Sequence, residues 1–251
     1  MKPVAKVGND SELQTIATKS IIPVSGGTIK NVTDLKAGEI VTFGTYEQDG
    51  DLSNGPEKIE WVVLDVEEHK ALLLSRYVLD AIPFNEKLRR VPWKGCTLRK
   101  WLNRDFYNKA FTAPERSLIA ETELKNNDYI YVFRPVNTDT TDRIFLLSRP
   151  EQHTYAAIEQ AQFAEATPYA RTKGIKKIEC ISVDEEMYDR TLKEKNISRD
   201  IIGRTIACWW VRSNSDGWKT ADRQWVVDVL GNGNCVYLTD VGVRPAMYVS
   251  W

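Results

Sequence analysis

The stretch TIACWWVRS (205–213) constrains the fold of this chain more than any other segment. Its period of two puts Cys208, Trp210 and Arg212 on one side of an extended chain and Ala207, Trp209 and Val211 on the other. Two adjacent indoles in such a strand read as a seam of the interior rather than as a catalytic centre. Arg212, and Arg244 in the closing GVRPAMYVSW, both sit in strand runs beside aromatics. A guanidinium placed there needs carboxylate or carbonyl partners, because a lone buried charge is expensive. Trp101, Trp209, Trp210, Arg212 and Arg244 are therefore read as structural.

The rest of the C-terminal third continues in strands. RQWVVDVLGNGNCVYLTD predicts a hairpin centred on Gly231-Asn232-Gly233-Asn234, residues that tolerate positive φ. Pro245 lacks a backbone donor and implies an edge position or a bulge. Near the other end, AGEIVTFGTYEQD (37–49) alternates as a half-buried strand, and IEWVVLDVEEHKALLLSRY predicts two strands joined at Glu67-Glu68-His69-Lys70. Helices fall between. CTLRKWLNRDFYNKAF places Leu98, Trp101, Leu102 and Phe106 on one face, with Thr97 as N-cap. FTAPERSLI starts a second helix, with Thr112 and Glu115 as a capping box and Pro114 in the first turn. DRIFLLS (142–148) reads as a buried strand, followed by a helical stretch from Pro150 to about Ala164. Residues 175–203, with the helical composition of SVDEEMYDRTLKEK, read as an insertion, and residues 1–36 as an arm or linker holding a short strand. The fold class is α+β: a domain over 37–251 with two main helices and antiparallel sheets.

Bulk properties narrow the function. The formal charge is -1 with 42% apolar and 27% charged residues, so the chain lacks the basic footprint of a nucleic-acid binder. The short basic runs Lys87-Leu88-Arg89-Arg90 and Lys176-Lys177 read as solvated faces. No apolar run approaches the roughly eighteen residues of a membrane span, and the N-terminus lacks a secretory apolar stretch. A cytoplasmic address, or export by a non-classical route, is the expectation. Cys96, Cys180, Cys208 and Cys235 are far apart and form no CxxC pair, so no metal and no cofactor are expected, and buried thiols are the simpler account.

The succession GEIVTFGTYEQ, IEWVVLDV, ALLLSRYVLD, TLRKWLN, DRIFLLS, WWVRS and GVRPAMYV resembles a bacterial domain family, DUF6273. That family is similar to the C-type-lectin-like fold of formylglycine-generating enzymes and of the variable proteins of diversity-generating retroelements. The resemblance implies one C-type-lectin-like domain, with N- and C-terminal strands meeting, two helices, and a second sheet carrying a binding surface.

Catalytic readings find little support. An oxidoreductase of the formylglycine-generating type uses paired cysteines with copper; Cys208 and Cys235 lie in the matching part of the chain but in no recognisable motif. Calcium-dependent lectins use Glu-Pro-Asn or Gln-Pro-Asp loops, and neither tripeptide occurs. The acidic runs Asp49-Gly50-Asp51 and Asp184-Glu185-Glu186 read as solvated turns. GxSxG, HExxH, P-loop and GxGxxG motifs are absent from the sequence. What remains is non-catalytic recognition of a protein or cell-surface ligand. Asp216, Trp218, Lys219, Arg223, Trp225, Asn232, Asn234, Tyr237 and Asp240 mix aromatics with small polar and charged groups, as binding surfaces do. The same C-terminal region carries the diversified ligand positions in the retroelement variable proteins that the fold resembles. A formylglycine-generating-type oxidoreductase and a structural or assembly module are the alternatives.

Overall fold

Two sheets, joined where the chain crosses from one to the other, position everything else. The structure is a computed structural model that describes residues 35–89, 91–126, 138–175, 207–213 and 237–251. It also gives the backbone of the short strands Lys19–Ser20, Ile22–Pro23, Ile29–Lys30, Ile178–Glu179, Thr205–Ile206, Thr220–Ala221, Arg223–Gln224 and Asn234–Cys235.

In chain order, the meander β1 (Ile40–Tyr46), β2 (Glu57–Glu67) and β3 (Lys70–Ser75) leads to the short β4 (Asp80–Ala81). Helix α1 joins the segments Thr97–Trp101, Leu102–Phe106 and Tyr107–Ala110, and α2 (Ala113–Leu118) follows. A small pair, β5 (Thr122–Leu124) and β6 (Thr140–Asp142), precedes the short helices α3 (Arg149–Thr154), α4 (Glu159–Gln162) and α5 (Pro168–Thr172). The chain closes with β7 (Trp209–Trp210), β8 (Gly242–Val243) and β9 (Ala246–Ser250). The main sheet runs Lys19–Ser20, β1, β2, β3, β9; the second runs Arg223–Gln224, β7, β8, β4. Both are antiparallel except where Lys19–Ser20 meets β1 and where β7 meets β8. The expected α+β class with antiparallel sheets is what the chain adopts.

The main sheet is buried on both faces, which is why its strands depart from simple alternation. In β2, Ile59 and the run Trp61 to Leu64 are all interior, and Trp61 Nε1 donates to Phe43 O at 2.7 Å. In β1 the register slips between Thr42 and Thr45, at Gly44. Gly44 has φ +70°, and a Cβ there would lie 2.5 Å from Phe111 Cε1, so only glycine fits both the backbone and the space. Residues Ile40, Val41, Phe43 and Tyr46 are consequently all buried.

Several local expectations need correction. The N-cap of α1 is Cys96, whose Sγ accepts from Arg99 N at 3.3 Å; Thr97 is already helical. The middle of α1 is a π-helical turn that carries Asn103, whose Oδ1 accepts from Arg143 N and Ile144 N and whose Nδ2 donates to Ile144 O. That amide takes the backbone groups a strand partner would have taken. DRIFLLS is therefore buried without being a regular strand, bridged to β9 only at Phe145. The helix expected from Pro150 to Ala164 breaks after Thr154 into two short pieces. Tertiary donors claim the carbonyls that would carry the second piece onward: Arg244 takes those of Gln160 and Ala161, and Ala207 N takes that of Ala164. The Thr112–Glu115 capping box on α2 is present as read.

The chain crosses between sheets twice. After Ser75 it leaves the main sheet and becomes β4; after Val243 it leaves the second sheet and becomes β9. The crossings touch: Ser75 N donates to Pro245 O at 2.9 Å and Leu79 N to Val243 O at 3.0 Å. Pro245, expected in an edge strand or bulge, sits at the crossover, where its missing N–H is not needed. The hairpin expected over 223–240 has its centre at Gly231–Gly233 outside the described residues; of its arms, Arg223–Gln224 pairs with β7 and Asn234–Cys235 pairs with Thr220–Ala221, which precedes it.

Candidate binding surface on the C-terminal sheet

β7 divides its two indoles between two interiors. Trp210 faces the main core, 5.7 Å from the Phe84 ring, with Nε1 donating to Ile82 O at 2.9 Å. Trp209 faces a smaller cluster made by Val78, Ala164, Ala166, Ala170, Ile175 and Ala207. Both are essentially fully buried, at 1% and 0% exposure. The small cluster exists because alanines and Gly242 let β7, β8 and α5 approach closely. A Cβ on Gly242 would lie 2.1 Å from Val78 Cγ1.

The two strand arginines brace this arrangement by different means. Arg244 lies at the crossover, its guanidinium 4.7 Å from the Trp209 ring centroid. Its Nε donates to Ser75 O and its Nη1 to Ala161 O, each at 2.9 Å, and its Nη2 donates to Gln160 O. Burial pulls its pKa down to about 9. Arg212 uses a carboxylate. Its Nη2 donates to Glu151 Oε1 at 2.6 Å, its Nη1 to Glu151 Oε2 and to Leu146 O, and its Nε to Asn126 Oδ1 at 2.9 Å. Glu151 also closes the capping box of α3 with Ser148. Burial alone would raise the Glu151 pKa, but the hydrogen bonds and charge of Arg212 outweigh it and hold the carboxyl below its ordinary value. Trp101, expected in the same interior, is half-buried at its margin, 5.6 Å from Phe106.

The expected surface residues are placed unevenly. Backbone pairing sets Arg223 opposite Trp210 at the free edge of the second sheet, and Asn234 opposite Ala221. Tyr237 is 44% exposed, one of the few large exposed hydrophobic groups among the described residues. Asp240 is half-buried and engaged. Asp216, Trp218, Lys219, Trp225 and Asn232 lie outside the described residues.

Cys96 and Cys208 are buried, and burial pushes the Cys96 thiol up to about 12, so it stays protonated. One group of three carboxylates among the described residues, Glu47, Asp49 and Glu57, has oxygens within 4.8 Å of one another. The N–H groups of Gly50, Asp51 and Gln48 already bond to them. Sequence reading missed two interior carboxylates. Asp80 accepts from Tyr46 Oη at 2.6 Å and pairs with Lys173 at 2.9 Å, joining β1, β4 and the end of α5. Asp142 accepts from Trp93 Nε1, Arg99 Nε and Thr140 Oγ1. Apart from Thr140, their partners are 34 to 93 residues away in sequence, beyond any local pattern.

Together these features define an α+β domain whose C-terminal sheet is held from inside by indoles and guanidinium groups. The profile of one family, described as a domain of unknown function (DUF6273), matches residues 68–251, and the chain belongs to that family. No curated protein and no solved structure matches it. No helix among the described residues is long and apolar enough to cross a membrane.

Proposed function

We propose that this protein is a non-catalytic recognition module of the C-type-lectin-like kind, presenting the loops and strand edge of residues 214–240 to a protein or cell-surface ligand. The observation that carries this reading is the burial of the frame beneath that surface: Trp209, Trp210, Arg212 and Arg244 are all at most 3% exposed. A frame fixed in advance loses little conformational entropy when its loops engage a ligand. Placement of Arg223 on the edge strand and exposure of Tyr237 support the same surface. The strand order, with β9 returning beside β3 and a second sheet built across the crossing, is compatible with a lectin-like arrangement. Burial of Cys208 speaks against the oxidoreductase alternative.

The test is affinity capture with wild type and a Trp218→Ala/Arg223→Ala double variant, both first shown to melt at the same temperature. Loss of a saturable, reproducible partner in the double variant supports the assignment. Equal capture by both proteins contradicts it.

A further inference from the structure

The first crossing opens a groove of its own beside β2. Arg76 N still donates to Glu60 O at 2.8 Å, but Val78 N turns to Glu165 O at 2.9 Å and Thr167 N to Val78 O at 3.0 Å. The β2–β3 ladder begins only at Trp61 opposite Ser75, so the first residues of β2 have no β3 neighbour. A groove of about 380 Å³ opens there between β2 and the 165–171 segment, within reach of the half-buried Tyr77. That volume suits a small ligand.

Sorting the lining by what is already engaged shows what the groove offers. Asp49 accepts from Asp51 N at 2.7 Å and from Asn54 Nδ2 at 2.8 Å. Glu57 accepts from Gln48 N at 2.6 Å, and Glu60 from Arg76 Nη1 at 2.7 Å. Four side chains of the lining remain without a hydrogen bond or ion pair among the described residues: Lys58 on the β2 wall, Glu165 and Arg171 on the other, and the Tyr77 hydroxyl. Spare groups of both signs therefore face one small cavity. A simple anion satisfies Lys58 and Arg171 but meets the surplus of carboxylates. A simple cation satisfies Glu165 but meets two ammonium- or guanidinium-bearing chains. A molecule with one carboxylate and one ammonium answers both, with the guanidinium fork suited to the carboxylate.

We infer that this groove binds a small zwitterion, a free amino acid or a dipeptide, with Arg171 and Lys58 holding its carboxylate and Glu165 its ammonium. The phenol of Tyr77 supplies a hydroxyl that both donates and accepts.

The experiment is calorimetric titration of the full chain with leucine and glycyl-leucine, and with two leucine analogues: N-acetyl-leucine, lacking the ammonium, and leucinamide, lacking the carboxylate. Each analogue is expected to bind about tenfold more weakly than leucine, the scale of one charge-assisted hydrogen bond. Glycyl-leucine in place of leucine as the tighter ligand identifies the dipeptide, and the same comparison is then made with its own capped forms. Glu165→Gln should weaken leucine while leaving N-acetyl-leucine unchanged, and Arg171→Ala should weaken leucine while leaving leucinamide unchanged. Both residues are at the surface or half-buried, and unchanged melting temperatures establish that the variants fold. Absence of binding by any probe, equal binding of the zwitterions and their capped forms, or variants that shift all probes alike each overturn the inference. The Trp218→Ala/Arg223→Ala variant keeps this binding, which separates the two sites.

Discussion

Arg244 is a buried cation answered by carbonyl oxygens and an indole face. Replacing it with leucine leaves the carbonyls of Ser75, Ala161 and Gln160 without that donor, at about 1–3 kcal/mol for each group that finds no other. Arg244→Leu should therefore destabilise the protein by about 2–4 kcal/mol in urea unfolding, while Arg76→Leu, on a half-exposed pair with Glu60, should change it by less than about 1 kcal/mol. Arg212 gives a pH signature instead. Because Glu151 has a folded pKa below its ordinary 4.5, its pairing stabilises fully above that pH and is lost as pH falls through the lower folded value. Glu151→Gln should lose about 2 kcal/mol near neutrality, a figure reduced for the carboxylate's partial exposure. The gap to wild type should narrow as unfolding is measured at pH values descending below 4.5.

At the scale of elements, the two restrictive glycines carry the clearest expectations. Gly44→Ala meets both a left-handed backbone and the Phe111 ring, and Gly242→Ala meets Val78 Cγ1 and Cys208 O. Each should cost about 2–4 kcal/mol, read as a lowered melting temperature, whereas Gly38→Ala, with open space around it, should show only the smaller backbone strain. These positions also mark what the sequence could reveal. The capping box at Thr112 and Glu115, the β2–β3 hairpin and the two-faced alternation through Trp209 and Trp210 were legible, because each depends on neighbours within a few residues. The bulge at Gly44, the π-helical turn around Asn103 and the crossover at Pro245 were not. Each is set by a partner far along the chain: Phe111 for Gly44, Ile144 for Asn103, Ser75 for Pro245. The groove beside Tyr77 escaped for the same reason, since its walls are over a hundred residues apart in sequence.

For the whole molecule, the family match begins at residue 68, yet β1 and all of β2 lie before it and fill the core with Phe43, Ile59, Trp61, Val62 and Val63. A fragment of 68–251 should accordingly fail to fold cooperatively, judged by near-ultraviolet circular dichroism, and a fragment of 37–251 should melt in a single transition. The central claim is that the two crossings bind both sheets into one stiff frame beneath the C-terminal surface. Amide hydrogen exchange tests it most directly at Ser75, Leu79 and Gly242, whose N–H groups bond to Pro245 O, Val243 O and Cys208 O. The account predicts protection at these three amides equal to that of the β2–β3 ladder. Fast exchange at Leu79 and Gly242 alongside a protected ladder would show a second sheet that opens on its own, and would contradict it.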